Sequence, residues 1–217
     1  MNEFTIIQNR YNFICTKCGN CCTGDIRIQL NPYDLYKMAR FLGMKSTCEL
    51  FDRRYVRLFS HEQGVWAPEI QFKTGPFKFC PFLLNNLDEN EQFEGLCALH
   101  EKHKPLICAM APIGRTIDFE DNREEYVFID PAPDCPGIDS DKENNLMDIL
   151  KKYERELYYQ RKFFRILENI KDFGLSKSYY LENLYYFNIR PDFNEILDLL
   201  ENKFINTAIP EQFITNS

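Results

Sequence analysis

Eight residues near the start of the chain, Cys15-Thr16-Lys17-Cys18-Gly19-Asn20-Cys21-Cys22, constrain the fold more than any other feature. Two residues between cysteines let a tight turn aim both sulfurs at one centre. Three cysteines at that spacing point to a metal rather than to thiols packed as small hydrophobes. The sequence of 217 residues carries 9 Cys, the others at 48, 80, 97, 108 and 135. An odd count and an adjacent pair argue against a disulfide framework. The opening MNEFTIIQNR has neither the basic start nor the apolar stretch of a secretory leader. The expected compartment is therefore the cytoplasm, where thiols stay reduced and serve metals or redox chemistry.

Two kinds of centre suit the spacing. C-x2-C-x2-C matches the run that holds three corners of a cubane cluster in bacterial ferredoxins, where the fourth cysteine precedes a proline. Cys80-Pro81 and Cys135-Pro136 both offer such a pair. Cys15-x2-Cys18-Gly19 is equally a zinc-knuckle turn, with glycine permitting the bend below the metal. A [4Fe-4S] cluster is the favoured expectation and Zn2+ the alternative. The candidate ligands are Cys15, Cys18, Cys21, Cys22, Cys80, Cys97, Cys108 and Cys135. They make two sets of four, or one site with the remaining thiols as a redox pair or structural groups. Cys21 and Cys22 point different ways along an extended chain, which favours a split between centres. Cys48 falls in an amphipathic stretch and reads as core. His100 and His103, between Cys97 and Cys108, are candidate nitrogen ligands or outer-sphere groups, whereas His61 has no such neighbourhood. Asp25, Asp130, Asp134, Lys104, Arg115 and His103 are the polar residues nearest the cysteines in sequence, and each is read first as structural. No catalytic residue is assigned.

All nine cysteines precede residue 136. The expected organisation is a cysteine-cluster metal-binding domain over 1–139 and a helical extension over 140–217. Short strands are expected at Phe4–Ile7, Ile26–Leu30, Val65–Phe72 and Phe79–Leu84, the last two parted by a Gly75-Pro76 turn. Ile113–Phe119 and Tyr126–Ile129 read as a hairpin. Asn31-Pro32-Tyr33-Asp34 is a helix start, with Leu35, Met38, Ala39 and Leu42 on one face and Gly43 as the stop. A second helix is expected from Thr47 to Phe59. Ser140–Glu143 has capping-box spacing ahead of a long helix whose stripe is Leu146, Leu150, Tyr153, Leu157, Phe164 and Leu167, ending at Gly174. Helices over Lys177–Phe187 and Asp192–Phe204 complete an α+β reading: a small irregular cysteine-rich domain followed by a helical hairpin or bundle. The basic residues between Lys151 and Lys171 read as a solvated face.

Hydrophobic residues make up 44% and aromatics 15%, enough to bury a core. A net charge of -7 disfavours nucleic acid and anionic lipid, and no apolar run is long enough to span a membrane. A protein is the expected partner or substrate; the oligomeric state is not specified by these patterns.

The run from Phe13 through Cys22 resembles the signature of the YkgJ-like CxxCxxCC cysteine-cluster family, described as zinc- or iron-chelating domains. Ile28, Leu30 and Asp34 match the strand and Asp-bearing helix that follow in the family, and Cys80, Phe82 and Leu83 match its Cys-x-Phe-Leu. In Lys104-Pro105-Leu106-Ile107-Cys108-Ala109-Met110-Ala111-Pro112, Lys104, Ala109 and Ala111 replace the family's Arg, Arg and Phe. The likeness covers about residues 10–136 and implies metal binding. One branch of similar proteins, the flagellin lysine N-methylases, is thought to use an iron–sulfur cluster. This chain has 9 Gly and no Gly-x-Gly-x-x-Gly loop for a nucleotide-like cosubstrate.

Overall fold

Asn31 begins the most strongly encoded element. Its side chain accepts hydrogen bonds from the Tyr33 and Asp34 amides, and Asp34 reaches back to the Asn31 amide. This capping box, with proline in the first turn, satisfies amides the helix leaves open. The computed structural model describes residues 5–23, 26–60, 64–75, 78–87, 89–91, 93–132 and 134–205, with the backbone alone at Phe93, His100 and Glu101. In chain order the strands are β1 (Thr5–Ile6), β2 (Arg10–Asn12), β3 (Val56–Ser60), β4 (Trp66–Ile70), β5 (Leu83–Leu87), β6 (Phe93–Cys97), β7 (Ile113–Asp118), β8 (Arg123–Phe128) and β9 (Glu143–Asn145). The helices are α1 (Pro32–Phe41), α2 (Cys48–Asp52), α3 (His100–His103), α4 (Leu106–Met110), α5 (Leu146–Lys152), α6 (Glu154–Ile170), α7 (Lys177–Tyr180) and α8 (Phe193–Phe204). This is an α+β chain with several small sheets and C-terminal helices. Among the described residues, no helix is long and apolar enough to cross a membrane.

The chain divides into two compact units, each made of two stretches: Met1–Ile28 with Phe72–Glu154, and Gln29–Gln71 with Arg155–Ser217. In the first, β1, β8 and β7 form an antiparallel sheet in that order, β2 pairs with β9, and β5 pairs with β6. In the second, β3 pairs with β4 antiparallel, Val56 opposite Ile70. There the sealed core includes Leu35, Met38, Leu50, Ile166, Leu184 and Leu197. Tyr185 is fully buried, and its hydroxyl donates to the Trp66 carbonyl at 2.8 Å. A buried triad sits on α1: the Lys37 ammonium lies 3.5 Å from Asp34 and is hydrogen-bonded to Glu156 on α6.

Several expected elements change form. The helix expected at Thr47–Phe59 is only α2. Arg54 takes a left-handed φ of 58°, and the chain leaves as β3 with Val56 and Leu58 buried and Arg57 exposed. Ile26–Leu30 is not a strand; Gln29 makes one bridge to Glu69, and the Leu30 amide donates to the Pro68 carbonyl. The strand expected at Phe79–Leu84 starts at Leu83, because Cys80-Pro81-Phe82 turns and the Leu83 amide donates to the Cys80 carbonyl. The Ser140–Glu143 capping box is absent: Glu143–Asn145 pairs with β2, and Asn145 caps α5 through the Met147 amide. The long helix breaks at Tyr153, so the sealed face of α6 runs through Leu157, Phe163, Ile166 and Ile170, while Phe164 and Leu167 are half-buried. Lys177–Phe187 is one α turn of α7 followed by a π turn at Leu181–Tyr185. Asp192 caps α8 as its spacing suggests. Of the basic residues between Lys151 and Lys171, Lys162 pairs with Glu201 at 2.6 Å, Lys171 pairs with Glu168 at 2.5 Å, and Arg155 donates to the Tyr33 hydroxyl, while Lys151, Lys152, Arg155 and Arg165 are exposed.

Candidate metal centre

All eight candidate ligand cysteines fall in the first unit, and Cys48 falls in the second. The loop that begins at Cys15 has no regular structure until Asn20–Cys22, a 3-10 turn entered through Gly19 at a φ of 77°. Four anchors hold it. The Ile14 amide donates to the Gly137 carbonyl at 3.1 Å, and the Gly95 amide donates to the Lys17 carbonyl at 2.7 Å. The Cys80 amide donates to the Cys22 carbonyl at 2.7 Å, and the Asn20 side chain donates to the Asp134 carbonyl at 3.2 Å. Lys17, left-handed at a φ of 56°, adds an ion pair with Glu94 at 2.5 Å.

Two glycines make these approaches possible. A β-carbon on Gly95 would stand 2.8 Å from the Gly19 α-carbon, and one on Gly137 would stand 1.9 Å from the Ile14 carbonyl oxygen. Both obstacles are backbone, which no rotamer change can clear. The β5–β6 hairpin then explains how distant cysteines meet. Leu83 pairs with Cys97 at its base, and the turn before Leu83 carries Cys80. Cys108 is exposed on α4, and Cys135 is half-buried beside the Asp134 anchor.

The Cys21 and Cys22 sulfurs lie 4.0 Å apart. The chain is not extended there, so the two thiols are neighbours rather than strangers on opposite faces. A hydrogen bond from Cys22 holds the Cys21 thiol down at about 6 against the effect of burial, and Lys104 adds to that stabilisation. The same shared hydrogen, with burial and the nearby Cys21, Cys80 and Cys108 sulfurs, drives the Cys22 thiol strongly upward. Burial pushes the Cys80 thiol up to about 11, with Cys97 and Cys21 acting in the same direction. Cys135 is also raised, first by burial, then by the nearby Cys18 and Cys21 sulfurs. Seven of the eight thiols are thus joined by mutual influence through Cys21. Cys15 is exposed at the head of the loop and acts on Lys17. Among the described residues, no three His, Cys, Asp or Glu side chains converge on one ion-binding point.

The other candidates fare differently. His103 is half-buried on α3, His100 is described by its backbone alone, and Asp25 and His61 lie outside the described residues. Asp130 is exposed. Asp134 contributes its backbone carbonyl. Arg115 is committed to the β7–β8 hairpin, bonding Glu124 at 2.8 Å. Cys48 is half-buried rather than sealed, 2.8 Å from the Ser46 hydroxyl. Glu94, Gly95 and Gly137 escaped the sequence reading. Gly95 was detectable only as the residue two before Cys97, on the same strand face.

The donor chemistry is soft. The thiols act chiefly on one another, with Lys104 as the nearby cation, and thiolates select zinc or iron–sulfur over hard cations. By donor type, the residues present therefore suit the metals that the cysteine spacing suggests. A family model, CxxCxxCC, described as a "putative zinc- or iron-chelating domain", matches residues 14–136. No curated protein and no solved structure matches the chain.

Proposed function

The chain belongs to the CxxCxxCC family of zinc- or iron-chelating domains, and from that membership we propose that it is an iron–sulfur protein that exchanges electrons with a protein partner. One observation carries the choice of iron–sulfur. Hydrogen bonds from Asn20 to the Asp134 carbonyl and from the Ile14 amide to the Gly137 carbonyl tie both flanks of Cys135-Pro136 to the C-x2-C-x2-C run, which thus gains a Cys-Pro pair of the kind ferredoxin-type runs use. A bound cluster supplies a one-electron couple at the thiolates. The chain's own groups hold and shape that site. Cysteine side chains give the corners, and Lys104 offsets their negative charge. The Gly19–Gly95 approach keeps the ligand loop against the hairpin. Cys15, Cys21 and Cys108 are exposed, and Ile14 and Ile107, each beside one of them in sequence, are also exposed large apolar residues. An exposed ligand edge with apolar neighbours suits close approach of a protein, and a net charge of -7 does not suit nucleic acid.

The test is iron, zinc and acid-labile sulfide content of the full chain purified without oxygen, with visible spectra before and after reduction. Iron and sulfide together, with a visible band that bleaches on reduction, are expected. Zinc without sulfide or colour would replace this reading with a zinc-stabilised binding domain.

A further inference from the structure

We propose that the free edge of β5 pairs with β5 of a second copy of this chain, two-fold about Asn85, so that two hairpins make one continuous four-stranded sheet. The inference stands independently of the metal reading.

Hydrogen bonds fix which groups of β5 look outward. In an antiparallel pair, opposite residues either exchange both of their backbone hydrogen bonds or turn their polar backbone groups away from each other, in alternation. Phe82 and Ala98 are of the first kind, the Ala98 amide donating to the Phe82 carbonyl at 2.8 Å. Asn85 and Gly95 are of the second kind, since the Gly95 amide turns away from β5 to the Lys17 carbonyl. The outward groups of β5 are therefore those of Leu83, Asn85 and Leu87, and the Leu83 amide is taken by the Cys80 carbonyl. Among the described residues, no strand pairs with that edge. Leu84 through Leu87 are exposed, Leu87 at 61%.

Edges are ordinarily kept from pairing by short length, charge or proline. In the same unit, β1 has 2 residues and β7 carries Arg115 and Asp118. β5, Leu83-Leu84-Asn85-Asn86-Leu87, has none of these protections. It also complements itself. With Asn85 opposite Asn85 of the second copy, those residues exchange both hydrogen bonds, and each Leu87 amide donates to the Leu83 carbonyl across the axis. That register uses the groups left outward and sets Leu87 beside Leu83 on one face. Antiparallel pairing also lays the end of one β5 beside the start of the other. Exposed Glu89 and Glu91, which follow the strand, are thus directed toward the segment before it, where Lys73 and Lys78 are exposed.

Mass in solution tests the pairing. The full chain, purified without oxygen and kept reduced, should show twice the mass of one chain by sedimentation and light scattering. Amide exchange at Asn85 and Leu87 should slow as concentration rises. Asn85→Pro removes an outward amide, so the β5–β6 ladder keeps its hydrogen bonds. It should weaken the dimer about tenfold or more while keeping the parent's circular dichroism and metal content. If that variant fails to fold, Leu87→Lys, which sets a charge beside Leu83, replaces it with the same expectation. A chain that stays monomeric at every concentration would overturn the proposal and leave the edge to a strand of another protein. A dimer that the folded variant does not weaken would also overturn it, because metal or another surface would then hold the copies together.

Discussion

Gly95 shows how much of the site depends on a residue that binds nothing. Its α-carbon crosses Gly19 so closely that an added β-carbon would sit 2.8 Å from backbone. Gly95→Ala must push the ligand loop off the hairpin and away from Cys97, which shares the strand face of residue 95. The variant is expected to lose most of its metal, by elemental analysis, while Cys48→Ala keeps the parent content. Equal metal in Gly95→Ala and the parent would mean that the crossing is incidental. At this scale the cysteines were legible, because metal-ligand spacing is local. The roles of Gly95 and Gly137 were not, because each arises from a close approach of segments far apart in sequence.

Among the elements, α1 was readable from end to end. Asn31, Pro32 and Asp34 are local signals that act through their own backbone, and Gly43 closes the helix region with a φ of 65°. The stretch after Thr47 misled because helical periodicity and the alternation of Val56, Arg57 and Leu58 overlap there. Pairing with Trp66–Ile70 decides for the strand. Likewise β9 hides inside capping-box spacing, since its partner β2 lies more than a hundred residues earlier. The charged triad on α1 carries a stability prediction. Burial works to lower the Lys37 pKa, but Asp34 and Glu156 together overcome it and the net direction is upward. Glu156 also moves upward: burial outweighs its single ammonium partner, and Asp34 adds repulsion. The two directions agree with one cation shared by two carboxylates. Lys37→Met leaves both carboxylates without that cation and is expected to cost about 3 kcal/mol at neutral pH. A group raised in the fold stabilises below its ordinary pKa and loses that contribution as pH climbs through the folded value. The gap between parent and Lys37→Met in denaturant unfolding should therefore shrink above pH ~10.5. A gap that stays constant across this range would remove the triad from the account.

For the whole molecule, the two units are built on different terms. Large side chains sealed below 2 % exposure belong mostly to the second; the first contributes Leu99 and Leu106. The first unit also buries Ile7, Phe13, Phe82, Met110, Ile113, Val127 and Leu146, and it carries all eight candidate ligands, so under the proposed function metal removal is expected to destabilise this unit before the other. The cysteine distribution made that chemistry legible in the sequence. The anchoring of the cysteine loop was not legible, because it depends on where the hairpin base and the Asp134–Gly137 segment return to it. X-ray absorption at the iron and zinc edges, on the full chain isolated without oxygen, tests the central claim most directly. The account predicts metal at the iron edge, a first shell of sulfur alone and a second shell of iron. Metal at the zinc edge, or a first shell containing oxygen or nitrogen, would contradict it.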